Sequence, residues 1–64
     1  MCLLKVYLDE GEAGRKLITR DVSLVAKEGG KVRVRDIGFN EVTLEGVDVV
    51  LVDALNSILI LKKV

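Results

Sequence analysis

Hydrophobic and polar residues alternate along most of the chain, in short runs separated by glycine, asparagine and aspartate. A period of two residues is typical of half-buried β-strands, because successive side chains point to opposite faces of a sheet. The pattern predicts strands at 2–8, 18–27 and 31–36, a fourth strand starting at Asn40, and a fifth at 57–62. The polar stretch 9–16 is predicted to be the only long loop. We therefore expect one all-β domain over residues 1–64.

The register of the third and fourth strands follows from matching their two faces. Pairing Asp36 with Asn40 leaves a three-residue loop, 37–39. A slip by one residue would place arginines opposite valine and leucine, so the matched register is predicted. The predicted pairs are Val34–Val42 and Val32–Leu44 on the buried face, and Arg35–Glu41, Arg33–Thr43 and Lys31–Glu45 on the other face.

The turn between the second and third strands contains Gly29 and Gly30. A three-residue loop, 28–30, places only apolar residues opposite one another on the buried face. The pairs predicted in this way are Leu24–Val34 and Ala26–Val32.

Two features of the C-terminal third predict how the sheet closes. Gly46 interrupts the fourth strand before an apolar run, 47–52, which predicts a bend where one long strand crosses between two sheets. The run 58–61 is apolar on both faces, so we expect it inside a barrel or against another chain. Five short strands, one of them bent, predict a small SH3-like or Sm-like barrel.

The composition predicts an oligomer. Sixty-four residues are near the lower limit for a domain that folds alone, and chains of this size usually need a disulfide, a metal or a partner. Half of the residues are hydrophobic, but only Tyr7 and Phe39 are aromatic, and one cysteine cannot form an internal disulfide. We therefore expect the chain to oligomerise.

Charge and hydropathy bear on the compartment and on the kind of partner. Ten basic and ten acidic residues cancel, so no net charge draws the chain to nucleic acid or to an anionic membrane. The apolar stretch 47–61 contains Asp48, Asp53 and Asn56, which makes it a poor membrane span. No signal peptide is predicted, and a reduced cytoplasmic compartment fits the single cysteine.

A basic strip on the third strand, Lys31, Arg33 and Arg35, is the feature that favours RNA. Small barrels often present such a strand to nucleic acid. The predicted partners Glu41 and Glu45 neutralise two of the three charges, and stacking aromatic residues are missing from this face. We therefore predict a salt-bridged, solvated face and keep RNA binding as the alternative.

An acidic cluster, Asp9, Glu10 and Glu12, follows the first strand. Carboxylates in this number can hold a hard cation, but their spacing is not that of a calcium loop. A solvated turn is the simpler interpretation.

The only cysteine, Cys2, is the second residue of a chain that contains no histidine. If Met1 is removed, Cys2 offers a thiolate and a free α-amine. If Met1 stays, the Cys2 amide nitrogen can join the thiolate for a metal able to deprotonate it. Such ligands in a planar arrangement suit nickel or copper, and two chains are needed to complete the site. A lone cysteine is also commonly a small hydrophobe, and without a histidine base we predict no nucleophilic role.

Four segments of the chain carry a resemblance to a known family. They are the opening Met-Cys-Leu-Leu-Lys-Val-Tyr-Leu and the stretches 32–37, 44–47 and 52–60. In this order they resemble the CooT-type family of small nickel-binding accessory proteins, which begin Met-Cys and continue as an apolar-Lys-Val strand. The resemblance implies an SH3-like barrel, a homodimer, and a nickel site built from the second-residue cysteine of both chains, here Cys2. Some members serve carbon monoxide dehydrogenase maturation, and members have also been labelled predicted RNA-binding proteins.

From the residues and the resemblance together, we expect a cytoplasmic, metallochaperone-like nickel-binding accessory protein that is not an enzyme. Cys2 is the predicted metal ligand, through its thiolate and its own nitrogen, with Leu3 and Leu4 shielding the site and a nickel enzyme as the client. The alternatives are a small RNA-binding β-barrel protein and a plain structural or interaction module. The segment 9–20 is longer and more polar than the family pattern leads us to expect.

Overall fold

A computed structural model describes residues 3–64 of the chain, so the predicted ligand Cys2 lies outside the described residues. These residues form six strands and one short 3-10 turn, Gly11–Ala13, and they include no helix able to span a membrane. The predicted all-β class is confirmed. The strands are β1 Leu4–Asp9, β2 Arg15–Glu28, β3 Lys31–Asp36, β4 Glu41–Glu45, β5 Val47–Asp53 and β6 Ile58–Lys63.

All six strands belong to one sheet, in the order β4-β3-β2-β1-β6-β5. The first four form an antiparallel meander, and β6 lies parallel to β1 and antiparallel to β5. The two edge strands, β4 and β5, follow each other in the chain with Gly46 alone between them. The predicted bend at Gly46 therefore ends one strand and starts another, which makes six strands rather than five. Among the described residues no ladder joins β4 to β5, so the sheet stays open.

The sheet curls because β2 is long and irregular. Its first half pairs with β1 and its second half with β3, and the register shifts between Val22 and Leu24, where the halves meet. At the far end of β2, Lys27 forms an ion pair with Asp48 of β5. The backbone N–H of Gly46 also donates to the carbonyl of Gly30 at 2.8 Å. These contacts hold the meander against β5, across the concave side of the sheet.

The concave face carries the hydrophobic core, to which β6 contributes two fully or nearly buried leucines. The next residue along, Ile60, is only 4% exposed although it does not belong to this core. It pairs with Tyr7 of β1 on one side and with Leu51 of β5 on the other. Residues 59–61 of the apolar run are therefore buried within their own chain, and Ile58 is half-buried, because β6 lies inside the sheet. The core residues are Val6, Leu8, Val22, Val32, Val34, Val47, Leu59 and Leu61.

Two predicted registers have different outcomes. All five pairs predicted between β3 and β4 are confirmed. The prediction for β2 and β3 is wrong by one residue, because Val25 pairs with Val34, and Leu24 pairs with Arg35. The hairpin has a two-residue Gly29-Gly30 turn rather than a three-residue loop, with Gly29 at φ +61°. Two-residue turns with positive φ match the twist of paired strands best.

Candidate functional site

The start of β1 is the described part of the chain closest in sequence to Cys2. Leu4 pairs with Val22 of β2, and the backbone N–H of Lys5 donates to the carbonyl of Ser57 at 2.9 Å. Leu3 and Leu4 are half-buried, and Leu4 packs against the core of its own chain. The beginning of β1 is therefore held firmly on both sides.

Two tight turns flank the start of β1. On one side, Leu4 pairs with Val22, and Val22 pairs in turn with Asp36, the last residue before the β3–β4 turn. On the other side, Lys5 pairs with Ile58, which pairs with Asp53, the last residue before the β5–β6 turn. Because these two rows run straight across the sheet, both turns lie at the end where β1 begins.

Each of the two turns is closed by an aspartate and an asparagine. The Asp36 carboxylate accepts hydrogen bonds from the backbone N–H groups of Gly38 at 2.8 Å and Asn40 at 3.0 Å. The Asp53 carboxylate accepts from the side-chain amide of Asn56 at 2.9 Å and from its backbone N–H at 3.1 Å. These bonds lower the pKa of both aspartates, chiefly through the backbone of Asn40 and the side chain of Asn56.

The same turns present large apolar side chains to solvent. Phe39 is 80% exposed and Leu55 is 92% exposed, and Ile37 beside Phe39 is exposed as well. Phe39 has φ +63°, a left-handed conformation that is uncommon for a bulky residue. The sequence analysis predicted the turn at 37–39 but not the apolar surface that the two turns present. The available signal was an aromatic residue in a turn where glycine or asparagine is usual.

Metal-binding clusters are missing from the described residues: no group of three or more His, Cys, Asp or Glu side chains is placed to hold an ion there. The Asp9 carboxylate accepts a hydrogen bond from the backbone N–H of Gly11 at 2.8 Å, which is the geometry of a capped turn. Asp9 and Glu10 line a shallow cavity of about 290 Å³ together with Lys62 and Lys63. The acidic segment thus forms a turn beside two lysines.

The basic strip of β3 is paired with acidic side chains. Arg33 Nη1 lies 2.8 Å from Glu41 Oε1, and Arg33 Nε lies 3.5 Å from Glu28. Arg35 reaches Glu41 at 3.6 Å, and Lys31 reaches Glu45 at 3.7 Å. The hydrogen bond from Arg33 holds the pKa of Glu41 below its usual range. The confirmed β3–β4 register therefore brings every basic residue of the strip within reach of a carboxylate.

Comparison with known proteins places the chain in a family. A comparison with curated proteins gives no match. The family model of the CO dehydrogenase accessory protein CooT matches residues 1–62, which is nearly the whole chain and includes Cys2 and both turns. The chain therefore belongs to the CooT family of carbon monoxide dehydrogenase accessory proteins.

Proposed function

We propose that this protein is a nickel-binding accessory protein that acts as a homodimer, with a nickel site built from the Cys2 residues of both chains. The observation that carries the proposal is the family match, which begins at residue 1 and so includes the second-residue cysteine. Carbon monoxide dehydrogenase is a nickel enzyme, so an accessory protein that holds nickel as cargo has a natural client.

The donor atoms available to the chain support a site at Cys2. Cys2 is the only thiol, and there is no imidazole in the chain to replace it. The described residues offer no competing cluster of ligands. Each Cys2 contributes a thiolate and a nitrogen, so two chains supply the four ligands of a near-planar nickel site. Two residues of extended chain span about 7 Å at most, so such a site is tethered to the start of β1.

A role without catalysis fits both the family and the fold. The CooT family is one of accessory proteins, and Cys2 has no histidine to act as a base. We infer that the protein holds nickel and passes it to its client in the cytoplasm. In this proposal the curled sheet is a variant of the SH3-like barrel, in which Gly46 joins the two edges through the chain rather than through hydrogen bonds.

A titration with nickel tests the proposal. Wild-type protein should bind one nickel ion per two chains and develop a thiolate-to-nickel charge-transfer band. Cys2→Ser should lose both the binding and the band, whereas Glu12→Gln, a control in the acidic segment, should bind as the wild type does. Nickel binding by Cys2→Ser with unchanged stoichiometry and affinity would overturn the proposal, since no other residue supplies a thiolate.

A further inference from the structure

We infer that Asp48 protects the free edge of β5 against the addition of a strand from another copy of the chain. β5 is the last strand of the sheet, and within residues 3–64 it forms a ladder with β6 alone. An open edge of this kind can pair with another chain, and proteins commonly protect it with charge or a bulge. The inference is carried by the composition of β5 and by the contacts of Asp48.

β5 has the composition of an interior strand although it lies at an edge. Val50, Leu51 and Val52 are 54%, 43% and 61% exposed. Leu51 lies opposite Ile60 of β6, and Val52 lies opposite Leu59. The exposed aliphatic side chains therefore belong to both faces of the sheet. A continuous aliphatic run is typical of strands that are covered on both faces, so this edge needs a means of protection.

The opposite edge of the sheet shows what most of β5 lacks. Every exposed side chain along β4 is polar, and its glutamates form ion pairs with basic residues of β3. In β5 the only polar residues are Asp48 and Asp53. Asp53 is bonded to Asn56 within the following turn. Protection along the strand itself therefore depends on Asp48.

Two contacts hold the carboxylate of Asp48. It bonds to the ammonium group of Lys27, and it accepts a hydrogen bond from the backbone N–H of Val49 at 2.9 Å. Lys27 belongs to β2, which is not a neighbour of β5 in the sheet, so the ion pair lies outside the β5–β6 ladder. The hydrogen bonds from Lys27 and Val49 lower the pKa of Asp48, which keeps it charged. Beside it, the ladder with β6 shifts register between Val49 and Leu51, and such an irregularity interrupts regular pairing.

The possible registers of two paired β5 edges explain why this charge is effective. Antiparallel copies match their aliphatic side chains best when 49–52 faces itself. That register places Asp48 opposite Asp53 at both ends, and like charges opposite one another destabilise a sheet. A shift by one residue places Asp48 opposite Val52 or Ala54, which buries a charge against an apolar side chain. Parallel strands in register place the two copies of Asp48 side by side. Asp48 therefore opposes each arrangement.

Sedimentation velocity of metal-free protein over a range of concentrations tests the inference. Asp48→Ala removes both the charge and the bond to Val49. Species larger than the wild-type assembly should then appear at a concentration at least about tenfold lower. Asp48→Asn keeps an acceptor for Val49 without the charge, and it should show most of the same effect. Glu45→Gln is the matched control, because it removes the carboxylate of the Lys31–Glu45 ion pair on the other edge with the same change in net charge. It should sediment as the wild type does.

A lysine placed at a second position locates the effect on β5. Val50→Lys in the Asp48→Ala background should restore wild-type sedimentation, because a lysine on an edge strand opposes pairing. Val64→Lys adds the same charge at a residue that is 89% exposed and lies outside the strands, and it should restore nothing. Equal rescue by the two lysines would overturn the inference, as would an equal effect of Glu45→Gln. So would an Asp48→Ala protein that sediments as the wild type does.

A destabilised control separates loss of protection from loss of folding. Asp36→Asn weakens the β3–β4 turn and leaves β5 unchanged. The two variants are compared in urea concentrations that give them the same unfolded fraction. Asp48→Ala should still form larger species at the lower protein concentration. Equal thresholds would show that unfolding is the cause and would overturn the inference. None of these outcomes bears on the loss of nickel expected for Cys2→Ser.

Discussion

The carboxylate of Asp36 is bonded twice to Asn40, accepting from its backbone N–H at 3.0 Å and from its side-chain amide at 3.2 Å. Asp53 and Asn56 form the same kind of pair in the other turn beside the start of β1. Both pairs stabilise the ionised aspartate in the folded state. The conformation of these two turns is therefore linked to pH.

Acid should weaken the fold through these two aspartates. Their folded pKa values lie below the unfolded value of about 3.9, so their stabilisation is present above pH 4 and is lost as the pH falls through the folded pKa. We expect the Asp36→Asn, Asp53→Asn double variant to be less stable than the wild type at pH 7. The urea midpoints of the two proteins should converge as the pH falls below the folded pKa values of the two aspartates. A constant difference from pH 7 to pH 2 would contradict the linkage.

Gly46 should be costly to replace because of its backbone conformation alone. It has φ +67°, and a Cβ built there meets no atom within 4 Å. Gly46→Ala should therefore lower the free energy of unfolding by about 1–2 kcal/mol, the cost of a left-handed alanine. Gly30→Ala is the control, since Gly30 has equal space and no positive φ. It should be neutral, or stabilising by up to about 1 kcal/mol. Equal thermal midpoints for the two variants would show that φ is not the cause.

The β3–β4 hairpin could be predicted from sequence because both of its faces constrain the register. Aliphatic side chains match on one side, two of the three pairs on the other side are opposite charges, and a slip violates both. The β2–β3 hairpin lacked this constraint. Val22, Leu24, Val25 and Ala26 make β2 apolar on both faces, so apolar matching does not distinguish the predicted register from the observed one.

Other features depend on contacts between distant parts of the chain. Neither the parallel pairing of β6 with β1 nor the placing of both turns beside the start of β1 follows from a local pattern. The predicted site residue Cys2 lies outside the described residues, and its role as a nickel ligand stays a prediction.

Affinity for RNA should be weak, because carboxylates lie within reach of each basic residue of β3. We expect no sub-micromolar binding of single-stranded RNA by the wild type at physiological salt. Replacing Glu28, Glu41 and Glu45 with glutamine should raise the affinity and steepen its dependence on log salt concentration by about 2. Filter binding over a salt series measures both. Tight wild-type binding that is lost in the Arg33→Ala, Arg35→Ala variant would show that RNA is the true ligand.

Nickel binding should weaken as the pH falls. Thiolate and amide ligands must lose protons before they bind the metal, and an ordinary cysteine has a pKa of about 8.5. We expect the dissociation constant for nickel to rise at least about tenfold per pH unit between pH 8 and pH 6. Calorimetry in two buffers of different ionisation enthalpy should show protons released on binding. An affinity independent of pH over this range would point to carboxylate ligands instead.

The parallel pairing of β1 with β6, in which Lys5 lies opposite Ile58, has a consequence for the kinetics of folding. The meander β1–β4 needs only short connections, whereas β6 must return to β1 across most of the chain, which slows its pairing. Until β6 pairs with β1, one edge of β1 is unprotected. The β5–β6 hairpin of another copy can then add to that edge, with Gly46 as the hinge. At high concentration, refolding should therefore compete with hairpin exchange between chains.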